Sequence, residues 1–179
     1  MSRPKLRVEL EPWSTGDLSL LVELNAPEMK EHVGGPETAE QLADRQARFE
    51  ASGSRQFRIV VDGAEPAGWV GYCERTWRGE QVWEVGWAVV PRFQGRGVAT
   101  ATTTHVLTAA RAEHRWRFVH AYPSVDNGPS NALCGTLGFE LLGSHDFEFP
   151  PGSGRLMLCN DWRFDLDADP KALGVDLEQ

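Results

Sequence analysis

The sequence has few of the residues that carry metal and disulfide chemistry. Its three cysteines, Cys73, Cys134 and Cys159, are widely spaced and form no CxxC pair, and its five histidines form no HxxxH or HxH cluster. These patterns exclude the common metal-ligand spacings, so we expect no metal. An odd number of separated thiols is typical of reduced cysteines, and we expect a cytoplasmic protein.

Long apolar runs and basic runs are also missing. No apolar run is long enough to span a bilayer, and no apolar segment of the signal-peptide type follows the basic residues near the start. The chain has 18 Lys and Arg against 26 Asp and Glu, a formal charge of −8. We therefore expect no membrane and no nucleic-acid partner, since nucleic-acid binders usually show a basic face. An acidic surface suits a cationic partner such as an amine.

The composition is that of one ordinary folded domain. The chain has 179 residues, and its 41% hydrophobic content is enough for one core. No repeat, low-complexity tract or linker divides it. We expect a single domain over residues 1–179, in which residues 165–179 form a polar, acidic surface tail.

Hydrophobic periodicity and turn signals predict the order β-α-α-β-β-β-α-β-α-β-β. This is a mixed α/β fold of the α+β type, with a largely antiparallel central sheet flanked by helices. Thr38 is expected to cap the second helix, whose inner residues would be Leu42, Ala47 and Phe49. The predicted strands are 6–10, 57–61, 67–74, 82–90, 118–122, 139–142 and 156–159, and the other predicted helices are 18–29, 98–114 and 130–137.

A glycine-rich loop between a buried strand and a long helix is the most informative segment. The strand ends at Pro91, and Gly95 and Gly97 precede a helix that starts at Val98. The first amides of a helix have no internal partners and lie at the positive end of its dipole. Glycines let the backbone approach a ligand closely. The segment therefore suits a phosphate or pyrophosphate, and Arg92 and Arg96 could add charge near it.

One other interpretation of this loop remains open, and two are excluded. It could be a plain strand-to-helix turn. It is not a P-loop, because the Lys-Ser/Thr pair is missing after the second glycine. It is not the three-glycine dinucleotide motif, because Thr100 stands where the third glycine is needed.

Two motifs together resemble the GNAT family of N-acetyltransferases. The run 94–99, Gln-Gly-Arg-Gly-Val-Ala, is similar to the Q/R-x-x-G-x-G/A signature of the family. Downstream, Asn127, Ser130 and the pair Gly138-Phe139 stand at the intervals usual in the family. The runs 10–13 and 130–132 and the pair 17–18 are similar to the branch of ribosomal-protein N-terminal acetyltransferases (RimJ/RimL-like). The resemblance covers nearly the whole chain.

The resemblance implies acetyl-CoA as the co-substrate and a mode of binding for it. Backbone groups of Trp87, Ala88 and Val89 would pair with the pantetheine arm like an added strand. Asn127 would hydrogen-bond the same arm, although Asp-Asn-Gly is also a turn signal. The segment expected to hold the pyrophosphate comprises Gln94, Gly95, Arg96, Gly97, Val98, Ala99 and Thr100, with the Thr100 hydroxyl as an extra donor.

An alkyl ammonium must lose a proton before it can attack a thioester, and in this family a Glu on the preceding strand often removes it through water. Glu84 stands on that strand, among Trp and Val, where partial desolvation would suit a base. It could instead face solvent or pair with an arginine. His120 lies on the next strand with Tyr122; it could be a base or a structural residue.

The leaving thiolate takes a proton, which many relatives supply from a tyrosine seven residues after the Asn. Cys134 stands there, and a thiol is a weak donor. Ser130 could donate instead, as in the ribosomal-protein branch, or no dedicated acid is needed. Cys134 itself is interpreted mainly as a small buried residue.

The sequence therefore predicts an acetyl-CoA-dependent N-acetyltransferase with Glu84 and Ser130 as catalytic residues. The acceptor would be a primary amine that attacks the thioester directly: a protein N-terminus, an aminoglycoside, a polyamine or an amino-acid derivative. Relatives often form dimers, so a homodimer is one option. The alternative is a non-catalytic sensor that binds acyl-CoA.

Overall fold

The structure, a computed structural model, describes residues 6–63, 65–149 and 152–169. One seven-stranded sheet has the order β1-β2-β3-β4-β5-β7-β6. All neighbours are antiparallel except β4 and β5, which are parallel. The strands are β1 Val8–Pro12, β2 Gln56–Val61, β3 Glu65–Trp77, β4 Glu80–Val89, β5 Phe118–Ala121, β6 Glu140–Glu148 and β7 Leu156–Asp165.

Four α-helices flank this sheet in the described residues, and the element order is the predicted one. They are α1 Leu18–Glu23, α2 Ala39–Glu50, α3 Val98–Ala112 and α4 Gly128–Thr136, with short 3-10 turns at 15–17, 27–29 and 91–93. This confirms the expected fold class, a mixed α/β domain with a largely antiparallel sheet.

Two tight turns build the antiparallel meander of β2, β3 and β4. Asp62 and Gly63 have φ of 54° and 73°, and Arg78 and Gly79 have 51° and 82°. Consecutive residues in the left-handed region match the twist of a hairpin, which is why Asp-Gly and Arg-Gly stand here. Both turns are where the sequence predicted them.

Helix α3 packs on β1, β3 and β4 and supplies much of the core. Its inner face buries Val98, Thr102, Val106, Leu107 and Ala110 to 1% exposure or less. Thr102 would be an unpaired polar group in this core, but its hydroxyl donates to the Val98 carbonyl oxygen at 3.0 Å. The buried start of α3 thereby fixes the glycine-rich loop before it.

The structure corrects three predictions of local structure. The first helix ends at Glu23 rather than near Met29, because Pro27 starts a separate 3-10 turn and cannot continue a helix. In α2, Ala47 is exposed; Gln46 is buried instead and accepts from the Trp13 indole N–H at 2.9 Å. The predicted start of the C-terminal tail, at residue 165, is also too early in the chain.

The C-terminal segment stays in the fold beyond Asp165. Asp165 is the last residue of β7 and forms an ion pair with Arg117 at 2.8 Å. Leu166 is buried. The predicted tail residues 170–179 lie outside the described residues.

None of the helices in the described ranges is long and apolar enough to cross a membrane.

Candidate functional site

The sheet opens between β4 and β5. Only two residue pairs join these parallel strands, Trp83 with Val119 and Glu84 with His120. Beyond them β4 continues to Val89, whereas β5 ends at Ala121 before Pro123. The strands therefore diverge and leave a cleft of about 880 Å³ between β4, β5, the segment joining α1 to α2, and the starts of α3 and α4.

The glycine-rich loop forms one end of this cleft. Gly95 and Gly97 have φ of 67° and 79°, in the left-handed region that disfavours other residues. Gly97 caps α3, and the first internal helical bond runs from the Ala101 amide to the Gly97 carbonyl oxygen at 3.0 Å. The amides of residues 98–100 make no hydrogen bond to the described part of the chain. They remain free to bind an anion at the positive end of a 15-residue helix.

Of the eleven residues predicted to bind the cofactor, all but Arg96 line the cleft. Arg96 is exposed, and its guanidinium lies 5.5 Å from the centre of the Phe93 ring. Arg92 does not line the cleft either, because it pairs with Glu23 and Glu65. The groups that this end of the cleft offers to an anion are therefore backbone amides rather than arginines.

Fewer backbone groups of β4 face the cleft than predicted. A Cβ atom on Gly68 would collide with the Ala88 carbonyl oxygen, so the backbone groups of Ala88 point to β3. Residues alternate along an antiparallel strand, so those of Trp87 and Val89 point into the cleft. The Val89 carbonyl oxygen already accepts from the Gln94 side chain at 2.8 Å. Both backbone groups of Trp87 and the amide of Val89 remain for an extended ligand.

Asn127 and Ser130 lie across the cleft, at the start of α4. The Asn127 side-chain oxygen accepts from the Ser130 amide at 3.2 Å and caps the helix. This supports the turn interpretation of Asn127, and its side-chain NH₂ has no partner in the described residues. Ser130 lines the cleft, and its hydroxyl likewise has no partner among them. Both groups can donate to a ligand.

Glu84 stands where β4 and β5 part, and its side chain lines the cleft. Its carboxylate pairs with Arg75 of β3 at 2.6 Å, so the interpretation that it binds an arginine is confirmed, and its role as a base stays a prediction. The Arg75 guanidinium also lies 4.6 Å from the centre of the Tyr122 ring and 5.1 Å from that of Phe147. This packing fixes the carboxylate at the apex of the cleft.

His120 belongs to a buried network outside the cleft. Its Nδ1 lies 2.6 Å from Asp161 Oδ1, and the Trp77 indole N–H donates to Asp161 Oδ2 at 2.9 Å. Burial raises the pKa of Asp161, but the hydrogen bonds from His120 and Trp77 outweigh this and hold it below its ordinary value. His120 is 4% exposed and lines a separate cavity of about 200 Å³. The arrangement fits the structural interpretation.

Cys134 is part of the core. It is fully buried and does not line the cleft, and burial raises the pKa of its thiol to about 12. A neutral thiol in the core is suited neither to protonating a ligand nor to covalent catalysis.

The far wall of the cleft holds residues that the sequence did not indicate. Lys30, Arg45, Trp69, Phe149 and Met157 line it. They come from four separate parts of the chain, and the local sequence around each carries no motif.

The segment that joins α1 to α2 crosses this end of the cleft and is tied on two sides. His32 Nδ1 lies 3.3 Å from Asp126 Oδ1, beside Asn127. Arg155 donates to the Gly34 carbonyl oxygen at 2.8 Å from the β6–β7 connection. The segment thus forms a wall of the cleft between the loop that holds Asp126 and the β6–β7 connection.

Comparisons with known proteins agree on one family. Residues 7–140 match the family model described as "Acetyltransferase (GNAT) domain". An acetyltransferase of the GNAT family from Bacillus anthracis is similar in structure, with a TM-score of 0.74 and 17% identity over 90% of this chain and 96% of that one. Searched against curated proteins, the sequence gives no match.

Two structures from Salmonella typhimurium are also similar. One is the acetyltransferase that modifies the N-terminal serine of the 50S ribosomal protein L7/L12, with a TM-score of 0.71 and 18% identity over 89% of this chain and 95% of that one. The other was solved with its cofactor acetyl-CoA, with a TM-score of 0.68 and 18% identity over 92% and 96%. At these identities the structures show a shared fold. Because the family model matches most of the chain, the protein belongs to the GNAT acetyltransferase family.

Proposed function

We propose that this protein transfers the acetyl group of acetyl-CoA to a primary amine. The observation that carries the proposal is the make-up of one cleft. It lies between the diverging strands β4 and β5, with the free amides of α3 at one end and the Glu84 carboxylate where the strands diverge. A pyrophosphate fits the amides of residues 98–100, and an extended pantetheine arm fits the open edge at Trp87 and Val89. Asn127 and Ser130 can donate to it from the opposite wall.

In the proposed reaction the amine nitrogen attacks the thioester carbonyl carbon, so that a C–N bond forms and the C–S bond breaks. Glu84 takes the proton from the amine, directly or through one water. Arg75 holds the Glu84 carboxylate in position by their 2.6 Å contact. A positioned base of this kind gives about 10²–10⁴-fold in rate.

The departing thiolate takes its proton from the Ser130 hydroxyl, which solvent then reprotonates. Ser130 is the candidate because it lines the cleft with a free hydroxyl, whereas Cys134 does not reach it. The proposed acceptor is a small-molecule amine or a protein N-terminus, and the proposed location is the cytoplasm, where the free thiols of Cys73, Cys134 and Cys159 would stay reduced.

The test is thiol release from acetyl-CoA against a panel of amines, with native protein and Glu84→Gln. Turnover with at least one amine, lowered about 10²-fold or more in the variant, supports the transferase and the role of Glu84. Binding of acetyl-CoA without release by any amine would favour the sensor, whose support is the cysteine at the position of the usual acid.

A further inference from the structure

Two glycines stand opposite each other on the face of the sheet that carries Glu84. Gly86 follows Glu84 by two residues on β4, so both positions point to the same face, with Cα atoms about 6.5–7 Å apart. Gly71 of β3 is the register partner of Gly86. Glycine inside a strand often marks a site where another group approaches the backbone closely. The two glycines leave a depression in the sheet beside the candidate base.

The Trp69 side chain fills this depression. A Cβ atom on Gly86 would lie 2.7 Å from Trp69 Cη2 and 3.3 Å from Cζ3, so a larger residue there would displace the indole. A Cβ atom on Gly71 would collide with the Gln56 side chain, whose Oε1 accepts from the Trp69 indole N–H at 2.8 Å. The edge of the six-membered ring therefore covers the position next to Glu84.

Trp69 is held firmly but is still open to the cleft. Phe49 of α2 stacks on one face of the indole, with 5.3 Å between the ring centroids and 16° between the planes. The hydrogen bond to Gln56 fixes the rotation of the ring in this stack. Trp69 is half-buried and lines the cleft together with Glu84. A rigid indole offers a large apolar surface and loses little side-chain entropy when a ligand binds.

The ring edge above Gly86 suits an apolar neighbour better than a cation. The edge of an aromatic ring is the positive end of its quadrupole, so it does not attract an ammonium group. The other side of Glu84 is also aromatic, because Arg75, which binds the carboxylate, packs 4.6 Å from the centre of the Tyr122 ring. An amine that reaches Glu84 therefore places its first carbon atoms beside aromatic side chains.

We propose that Trp69 selects the acceptor: the primary amine that reaches Glu84 carries an apolar group, aliphatic or aromatic, which packs on the Trp69 indole. This deepens the proposed function and rests on it. A polyamine or an aminoglycoside is disfavoured, because its further ammonium or hydroxyl groups would lose water against the indole. Glu28 also lines the cleft, and binding of a second ammonium there would favour a polyamine instead. The comparison of a monoamine with a diamine is therefore decisive.

Binding of product-like ligands tests the proposal without turnover. The probes are N-acetyl-hexylamine, N-acetyl-phenethylamine and mono-N-acetyl-hexamethylenediamine, each titrated calorimetrically into protein saturated with CoA. The first and third differ only in a terminal ammonium group. Native protein is expected to bind at least one of the two apolar ligands about tenfold or more tightly than the charged one. Equal binding of all three, tighter binding of the charged ligand, or no binding of any overturns the proposal.

Two variants alter the indole from different sides. Trp69→Ala removes it, and Gly86→Ala pushes its ring edge away; each should weaken binding of the apolar ligands about tenfold or more. The charged ligand should change by less than about threefold. Trp116→Ala and Gly135→Ala are the matched controls, because neither residue lines the cleft, and both should bind like native protein. Neither replaced glycine has a positive φ, so alanine brings no backbone strain.

Circular dichroism checks that each variant is folded. If Trp69→Ala is not, Gly86→Ala alone decides, since it keeps every side chain of the native wall. Native-like binding of the apolar ligands by a folded Gly86→Ala or Trp69→Ala variant overturns the role of Trp69.

Turnover separates this inference from the proposed function. Thiol release from acetyl-CoA is measured with hexylamine, phenethylamine and hexamethylenediamine. Faster release with an apolar monoamine than with the diamine, together with the binding preference, supports both claims. Release with the diamine at an equal or higher rate overturns the inference and leaves the acetyltransferase in place. A binding preference without thiol release supports the apolar site and counts against the reaction.

Discussion

Glu84 of β4 pairs in register with His120 of β5, and no pair follows it before the two strands part. The cleft therefore begins at the position of the candidate base. His120 is the partner of Glu84 in this last pair. Its contact with the buried Asp161 holds the closed end of the cleft in place. The geometry of the candidate site thus depends on a buried polar network that does not line it.

Arg75 is expected to act as a positioning residue for Glu84. Replacing it in Arg75→Met frees the carboxylate, and small misplacements of a catalytic group are costly, so kcat should fall by about 10-fold to 10²-fold. The KM for acetyl-CoA should stay within about twofold. Steady-state kinetics with an accepted amine measure both.

Arg75→Lys is the conservative variant for this prediction. A lysine can keep the ion pair with Glu84 but not the planar packing on Tyr122 and Phe147, so kcat should recover in part. A variant with an unchanged kcat, or one that loses acetyl-CoA affinity as severely as kcat, would show that Arg75 has a different role.

Asp161→Asn is expected to destabilise the fold rather than to affect the chemistry directly. It removes the charged acceptor of the Trp77 indole N–H and the partner of His120, and a hydrogen bond to a charged group is worth about 1.5–3 kcal/mol in the free energy of unfolding. Urea denaturation at pH 7 measures this. Asp146→Asn is the matched control, since Asp146 is exposed on β6, and it should change stability by about 0.5 kcal/mol or less.

The same carboxylate predicts a pH dependence. The pKa of Asp161 is held below its ordinary value of 3.8 in the folded state, so its contribution is fully present above about pH 4. It should be lost as the pH falls further, through the folded-state pKa. Native protein should therefore lose more stability between pH 4 and pH 2 than Asp161→Asn does. Parallel curves for the two proteins would contradict the assignment.

Cys134 should be chemically inert in the folded protein. Its thiol is fully buried and its pKa is raised to about 12, so almost no thiolate is present at pH 8. Iodoacetamide labelling followed by mass spectrometry should find Cys134 unmodified until the protein is unfolded in urea. Cys134→Ala should keep kcat within about twofold, whereas rapid labelling of the native protein would contradict the core assignment.

The parts of the site that could be predicted are those encoded in one continuous segment. Gly95 and Gly97 before a helix specify a loop with free amides wherever the segment lies in the fold. Thr38 and Gln41 specify a helix start, and the structure has the reciprocal hydrogen bonds of a capping box there. The same holds for the turns at residues 62–63 and 78–79.

The parts that could not be predicted depend on distant residues. Lys30 and Arg45 both bind Glu37, and no local pattern indicates this contact. Arg75 and Glu84 meet through the register of β3 and β4, in which Glu84 stands opposite Cys73. The turn at 78–79 limits this register, and the sequence could offer an arginine partner only as one of three alternatives.

The most direct test of the account is calorimetric titration of the protein with CoA, comparing native protein with Gly97→Val. A β-branched side chain is strained at the left-handed φ of 79° and should displace the free amides of α3. Gly63→Val is the matched control, because Gly63 has a similar φ of 73° in a turn away from the cleft. We predict that native protein and Gly63→Val bind CoA alike and that Gly97→Val binds about tenfold or more weakly. No binding by native protein, or equal binding by all three, would contradict the assignment of the cleft.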